Sequence, residues 1–123
     1  MKLEDLRIYQ MALEIGEVVW NEVSKWNYFE KDTIGKQLVR SADSIAANIS
    51  EGFGRFFYRE TKQFGYYSRG SLYETKTWLE KAYQRRLINA ETHERLMKDI
   101  DILAIKLNKY LQTIGSNRQE PGK

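Results

Sequence analysis

Gln-Leu-Val-Arg-Ser-Ala-Asp-Ser-Ile-Ala-Ala-Asn-Ile-Ser-Glu-Gly-Phe-Gly-Arg, residues 37–55, is the stretch whose reading decides the fold. Leu38, Ala42, Ile45, Ile49 and Phe53 recur at intervals of three and four, and Ile34 extends the series backwards. That spacing stacks the apolar side chains on one stripe of an α-helix and fits no strand, whose period is two. The spacing predicts a helix from Thr33 to Phe53. Asp32 or Thr33 is expected to cap it by accepting a bond from a free N–H. Gly52-Phe53-Gly54 is expected to stop it, since glycine takes a left-handed cap without a Cβ penalty. Arg55 suits the negative end of the helix. The run Ser41–Ser50 is rich in small side chains, which admit a neighbouring backbone closely.

The same period runs outward in both directions. Ile8, Ala12, Ile15, Val19, Val23 and Trp26 predict a helix over Leu3–Trp26, with Leu6, Tyr9, Leu13 and Trp20 widening the stripe enough to serve more than one neighbour. Asn27–Lys31 reads as a polar and aromatic break. A third helix is predicted over Tyr58–Arg86, on Phe64, Tyr67 or Ser68, Ser71 or Leu72, Thr75, Leu79 and Ala82, with Glu60 near its start and Arg85 and Arg86 near its end to suit the dipole. Gly70 falls mid-helix, where glycine costs about 1 kcal/mol against alanine. A close crossing with the small-residue face of the second helix is the expected reason. Asn89 caps the fourth helix, with Glu91 in its first turn. Its face is His93, Leu96, Ile100, Leu103, Leu107, Tyr110 and Ile114, broadened by Met97, Ala104 and Leu111, and Gly115 ends it. The expected fold is all-α, an up-and-down four-helix bundle over residues 1–115, followed by a disordered C-terminal tail at 116–123.

Composition narrows the function classes. The chain has 123 residues, enough for one domain with a real core. Zero Cys excludes disulfides, thiolate zinc sites and a cysteine nucleophile, and fits a reducing compartment. The lone His93 excludes a multi-histidine metal site. No apolar run is long enough to cross a membrane and no secretory leader opens the sequence, so a cytoplasmic, non-membrane protein is expected. Net charge is only +3, but its distribution is uneven: 4 basic and 7 acidic residues in 1–34, 10 and 5 in 35–86, and 6 and 5 in 87–123. The middle is therefore the segment that presents cations to a polyanion or an acidic protein.

No constellation points to catalysis. Gly52-Phe53-Gly54-Arg55 lacks the Lys-Ser or Lys-Thr ending of a phosphate loop and any preceding strand. Glu51, Glu60, Glu74 and Glu80 suggest a carboxylate metal site, but the Glu-x-x-His pairs such bundles use are absent, since Ala90 stands three residues before His93. Salt links are the plainer reading: Glu51 with Arg55, and Glu17 with a basic neighbour on another helix. His93 reads as a packing or capping residue. Ser44, Ser50, Ser68 and Ser71 are ordinary helix residues. Asn48 is a polar group on an apolar face and must be hydrogen-bonded; a helix-to-helix network with Ser71 and Glu74 would satisfy it. No catalytic residue, metal or cofactor is therefore expected. Aromatics are in surplus at Trp20, Trp26, Tyr28, Phe29, Phe53, Phe56, Phe57, Tyr58, Tyr66, Tyr67, Trp78 and Tyr83. Phe56-Phe57-Tyr58 lies between Arg55 and Arg59, a combination found in protein interfaces and in surfaces that stack bases and grip phosphate.

The stretch 37–55 closely resembles the signature of the four-helix-bundle proteins of the 23S rRNA intervening-sequence type. Arg69-Gly70-Ser71-Leu72-Tyr73-Glu74-Thr75 resembles the motif of that family's third helix, and the likeness extends over about residues 3–114. The accessory proteins of diversity-generating retroelements are related to this family. The resemblance implies a barrel-like homopentamer, contacts with a protein partner and nucleic acid through basic surfaces, and a structural role for Asn48, Glu51, Gly52, Arg55, Gly70, Ser71 and Glu74. It implies no catalytic residue. The chain departs from the family pattern at Ala46, where a proline is usual, and at Phe56-Phe57-Tyr58-Arg59-Glu60, which is more aromatic than the usual Ser-Lys start.

Two functions are expected from these readings. One is a non-enzymatic oligomeric scaffold or protein-binding module. The other is an accessory protein that binds RNA or DNA through Lys36, Arg40, Arg55, Arg59, Lys62, Arg69, Lys76, Lys81, Arg85 and Arg86.

Overall fold

A computed structural model describes residues 1–115; the expected tail at 116–123 lies outside the described residues. Four long helices follow one another: α1, Arg7–Val23; α2, Lys36–Phe53; α3, Tyr58–Gln84; and α4, Ala90–Thr113. There is no strand among the described residues. Each helix packs on its chain neighbours, α4 closes the circle against α1, and the tightest pair is α2 with α3. This is the up-and-down four-helix bundle that the periodicity predicts.

The apolar stripes meet in one core. Val19, Leu38, Ile45, Leu72, Leu79, Leu96, Ile100, Leu103 and Leu107 are all fully buried. Each such side chain contributes about 1.5–3 kcal/mol by leaving water. Two polar contacts cross the α2–α3 seam inside this core. The Ser68 hydroxyl donates to the Ile45 carbonyl at 2.8 Å. The hydroxyls of Ser41 and Thr75 lie 3.0 Å apart, with the Leu38 and Ser71 carbonyls in reach at 3.2 and 2.8 Å. No buried side-chain N or O among the described residues lacks a partner. The small side chains of 41–50 thus do bring two helices close, and the hydroxyls fix their register.

The helix ends differ from the expectation. Leu6 is extended, so the first helix begins at Arg7, behind a 3₁₀ turn at Leu3–Asp5. Trp26 lies past the end of α1, where it is buried and donates its indole N–H to the Leu87 carbonyl at 3.0 Å. The expected break at Asn27–Lys31 is mostly helix. The Asn27 side chain accepts from the Glu30 N–H and caps a turn at Tyr28–Glu30, which runs through a π-helical stretch, Lys31–Gly35, into α2. Asn27 is therefore the cap, not Asp32 or Thr33. Thr33 instead donates its hydroxyl to the Phe29 carbonyl within the helix, at 2.7 Å. The π stretch places Gly35 against Val23 and Trp26, where a Cβ would come within 2.8 Å of Val23 Cγ1.

Gly54 also departs from the reading, with ordinary right-handed angles of φ −81° and ψ −1°. Left-handed angles fall instead on Arg86 at φ 62° and on Gly115 at φ 72°, and α3 ends at Gln84. There the Leu87 N–H reaches the Ala82 carbonyl at 2.8 Å and the Arg86 N–H reaches Tyr83 at 3.0 Å, the paired bonds of a Schellman turn. Asn89 caps α4 as predicted, accepting from the Thr92 N–H at 2.8 Å.

Candidate functional site

The ten cations of the middle segment do not form one surface. They fall into three groups, and each is set by a helix period or a turn.

The largest group lies on the outer face of α3. Arg59, Lys62, Tyr66, Arg69, Gly70, Tyr73 and Lys76 share one side of the helix, away from the buried stripe of Gly65, Ser68, Leu72, Thr75 and Leu79, with Arg69 and Lys76 at its edge towards α4 and Lys81 beyond. Tyr66 and Tyr73 are 47% and 53% exposed, although each is a large aromatic ring. The Arg69 guanidinium lies 4.9 Å from the Tyr66 ring centre and bonds Asn108 of α4 at 3.0 Å. Lys76 lies 5.8 Å from the Tyr73 ring centre and pairs with Asp101 of α4 at 2.9 Å. Arg59 and Lys62 pair with no carboxylate among the described residues; with Gln63, Tyr66 and Tyr67 they line a shallow depression of about 370 Å³.

Gly70 lies within this face. It is mid-helix as expected, but it makes no close crossing: a Cβ built there meets nothing within 4 Å. The glycine that does serve a crossing is Gly65, whose Cβ would collide with Leu111 of α4. Both are glycines in one helix, and only the bundle's geometry tells them apart.

The second group rims a groove of about 400 Å³ between the end of α1 and the start of α2. Trp20, Val23, Gly35 and Val39 form its apolar walls; Lys31, Lys36 and Arg40 stand at its rim. Trp20 is 57% exposed. Lys36 also pairs with Asp32 at 3.1 Å. Sequence reading missed this groove because the π stretch, which a 3.6-residue period does not register, places Lys31, Gly35 and Lys36 together.

The third group sits at the turns before and after α3. Arg55 is held between Glu51 and Glu60, 3.7 Å from each, with its guanidinium 4.7 Å from the centre of the Phe64 ring. The expected Glu51–Arg55 link is present. Phe56 and Phe57 stand exposed beside it as an edge-to-face pair with centroids 4.9 Å apart. Arg85 and Arg86 are exposed at the turn between α3 and α4.

The remaining motif residues serve the bundle locally. The Asn48 amide donates to the Ser44 carbonyl of its own helix at 2.9 Å. No hydrogen bond links it to Ser71 or Glu74 among the described residues; the α2–α3 network runs through Ser41, Ser68 and Thr75, one and two turns away. Glu74 accepts from the Trp78 indole at 3.0 Å. Gly52 lets α2 pass the start of α3, where a Cβ would lie 3.0 Å from the Thr61 carbonyl oxygen. Glu17 faces Asp43 rather than a cation. Burial first, and the Glu17 charge second, raise the Asp43 carboxyl above its ordinary pKa of 3.8. His93 bonds Glu80 at 3.0 Å and stacks on Tyr83 at 4.3 Å, the packing role expected of it. Among the described residues, no group of three or more His, Cys, Asp or Glu could hold a metal ion, and no helix is long and apolar enough to cross a membrane.

Against known proteins, the profile of the 23S rRNA-intervening sequence protein family matches residues 4–109. The chain belongs to that family. A solved structure described as a protein of unknown function from the S23 ribosomal protein family of Bacteroides thetaiotaomicron is similar in fold. Its TM-score is 0.77 at 22% identity, over 86% of this chain and 99% of that one. No curated protein matches. In this intervening-sequence protein, the α2–α3 seam is held by Ser41, Ser68 and Thr75, and the surface of α3 carries exposed aromatic rings and cations.

Proposed function

We propose that this intervening-sequence protein is a non-enzymatic scaffold that assembles into a closed ring of identical bundles. One observation carries this: two exposed apolar patches lie on different sides of the bundle. The first is the Trp20 groove between α1 and α2. The second is on α4, diagonal to α2, where Ile102 and Ile105 are exposed beside Tyr83 and Met97 in a shallow trough of about 700 Å³. Two unlike patches that meet head to tail generate a ring when the rotation closes. The resemblance to family members supports five subunits. Light scattering at micromolar concentration tests the proposal: a multiple of 14.6 kDa is expected, and a stable monomer mass overturns it. Trp20→Lys changes a side chain that is more than half exposed and should release monomers while the helical signal is kept.

A second reading, RNA or DNA binding, is favoured by the outer face of α3, where Arg59 and Lys62 have no acidic partner among the described residues. Phosphate contact predicts binding that weakens with salt, with a log–log slope of about −0.9 per phosphate for duplex and about −0.7 for a single strand. Reversing Arg55 and Arg59 to Glu together should weaken it for every sequence. Absence of binding at low salt removes this reading and leaves the scaffold.

A further inference from the structure

We infer that the outer face of α3 is a stacking platform for single-stranded nucleic acid, on which unpaired bases lie against Tyr66 and Tyr73 across the gap left by Gly70. The inference rests on the nucleic-acid reading above and names its site. Three observations carry it.

The first is the pairing of rings with cations. Tyr66 and Tyr73 are about half exposed, each with a cation over one side, Arg69 and Lys76 respectively. A tyrosine in the core would be held by burial, and these are not. An exposed ring stacks a nucleobase whatever its sequence, and a flanking cation meets the phosphate that follows it. The second is spacing. The two tyrosines are seven residues apart, about 10.5 Å along the axis at 1.5 Å per residue, so they line up on one side of the rod. Arg59 and Lys62 continue the line with charge that no carboxylate offsets among the described residues. The third is Gly70, which lies between the two rings and meets nothing within 4 Å. Any side chain there would stand up between them. Its absence leaves the helix backbone open for a flat group to approach.

The geometry favours a single strand over a duplex. In a duplex the base faces are already stacked on each other and only edges and phosphates are offered. Two half-exposed rings offer flat surfaces that only an unpaired base can cover. The chemistry recognised is a phosphodiester with an unpaired base, which DNA and RNA share.

The test is fluorescence anisotropy of the full chain with labelled oligothymidylate, oligouridylate and a duplex of equal length, across a salt series. The strands should bind more tightly than the duplex. With three or four phosphates contacted, the log–log slope should be about −2 to −3. Tyr66→Ala and Tyr73→Ala should each weaken strand binding about 5- to 140-fold, and the corresponding Phe variants should retain it. Gly70→Leu is the decisive variant. It should raise the melting temperature, because leucine is the better helix former, and yet weaken strand binding. Loss of binding in a more stable protein is not attributable to unfolding. Equal affinity for strand and duplex, or binding that survives the Tyr66/Tyr73 double alanine variant but is lost in Arg59→Glu/Lys62→Glu, overturns the platform while the basic-surface reading stands. Binding to none of the three probes at low salt overturns both. Tighter binding of one strand over the other identifies DNA or RNA as the ligand and supports the platform.

Discussion

Replacing Gly70 by alanine should stabilise this protein, and the same substitution five residues earlier should destabilise it. Gly70 sits in the middle of the 27-residue helix α3, and a Cβ there meets nothing within 4 Å. The gain is then the helix-propensity difference alone, about 0.8–1 kcal/mol. For a domain of this size the entropy of unfolding at the midpoint is roughly 0.25 kcal/mol per kelvin, so the midpoint should rise by about 3–4 °C. At Gly65 the same propensity gain is opposed by Leu111, a core residue only 3% exposed, whose side chain has to move to admit the Cβ. Overpacking of this kind costs about 1–3 kcal/mol, which leaves Gly65→Ala a net loss of up to about 2 kcal/mol. Both variants should be followed by urea denaturation at one protein concentration, so that any effect of assembly is held fixed. The midpoints should move in opposite directions with the slope unchanged. A Gly70→Ala variant that is unchanged or weaker, or two shifts of the same sign, refutes the distinction between an open glycine and a packed one.

Other substitutions probe the turns, the seam and the Asp43 carboxylate. Arg86→Gly relieves a left-handed residue and should add about 1 kcal/mol, read as a higher urea midpoint. Ser68→Ala removes the hydroxyl that reaches across to the Ile45 carbonyl; a loss of about 1 kcal/mol is expected, since that carbonyl keeps its own helical bond. Asp43→Asn should stabilise the protein at neutral pH. The raised carboxyl means that the folded state disfavours the ionised form, so the penalty is present above the folded pKa and fades as acid protonates Asp43. Thermal melts of the wild type and the variant should therefore converge as pH falls through the raised pKa towards 3.8; a gain that grows on acidification contradicts the assignment.

The residues alone determine a good deal of this protein. Helix identity, the closed bundle and nearly every core position follow from the three–four spacing of Leu38, Ala42, Ile45 and Ile49 and its counterparts, because a helix must bury one stripe and four such stripes bury one another. The Asn89 cap and the Glu51–Arg55 link are local, within four residues, and the sequence shows them directly. Other features needed the assembled bundle. Which glycine is packed, Gly65 or Gly70, depends on where α4 places Leu111, a residue more than forty positions away. That Ser41, Ser68 and Thr75 rather than Asn48 hold the α2–α3 seam depends on the register between two helices, which neither helix carries by itself. The Trp20 groove depends on a π stretch that breaks the period used to read everything else. The cations of the middle segment are adjacent in composition only. The folded helices send Lys36 and Arg40 to one groove, Arg55 and Arg86 to opposite turns, and Arg59, Lys62, Arg69 and Lys76 to one tyrosine-bearing face, because a side chain's direction is fixed by its angle around the helix and not by its distance along the chain.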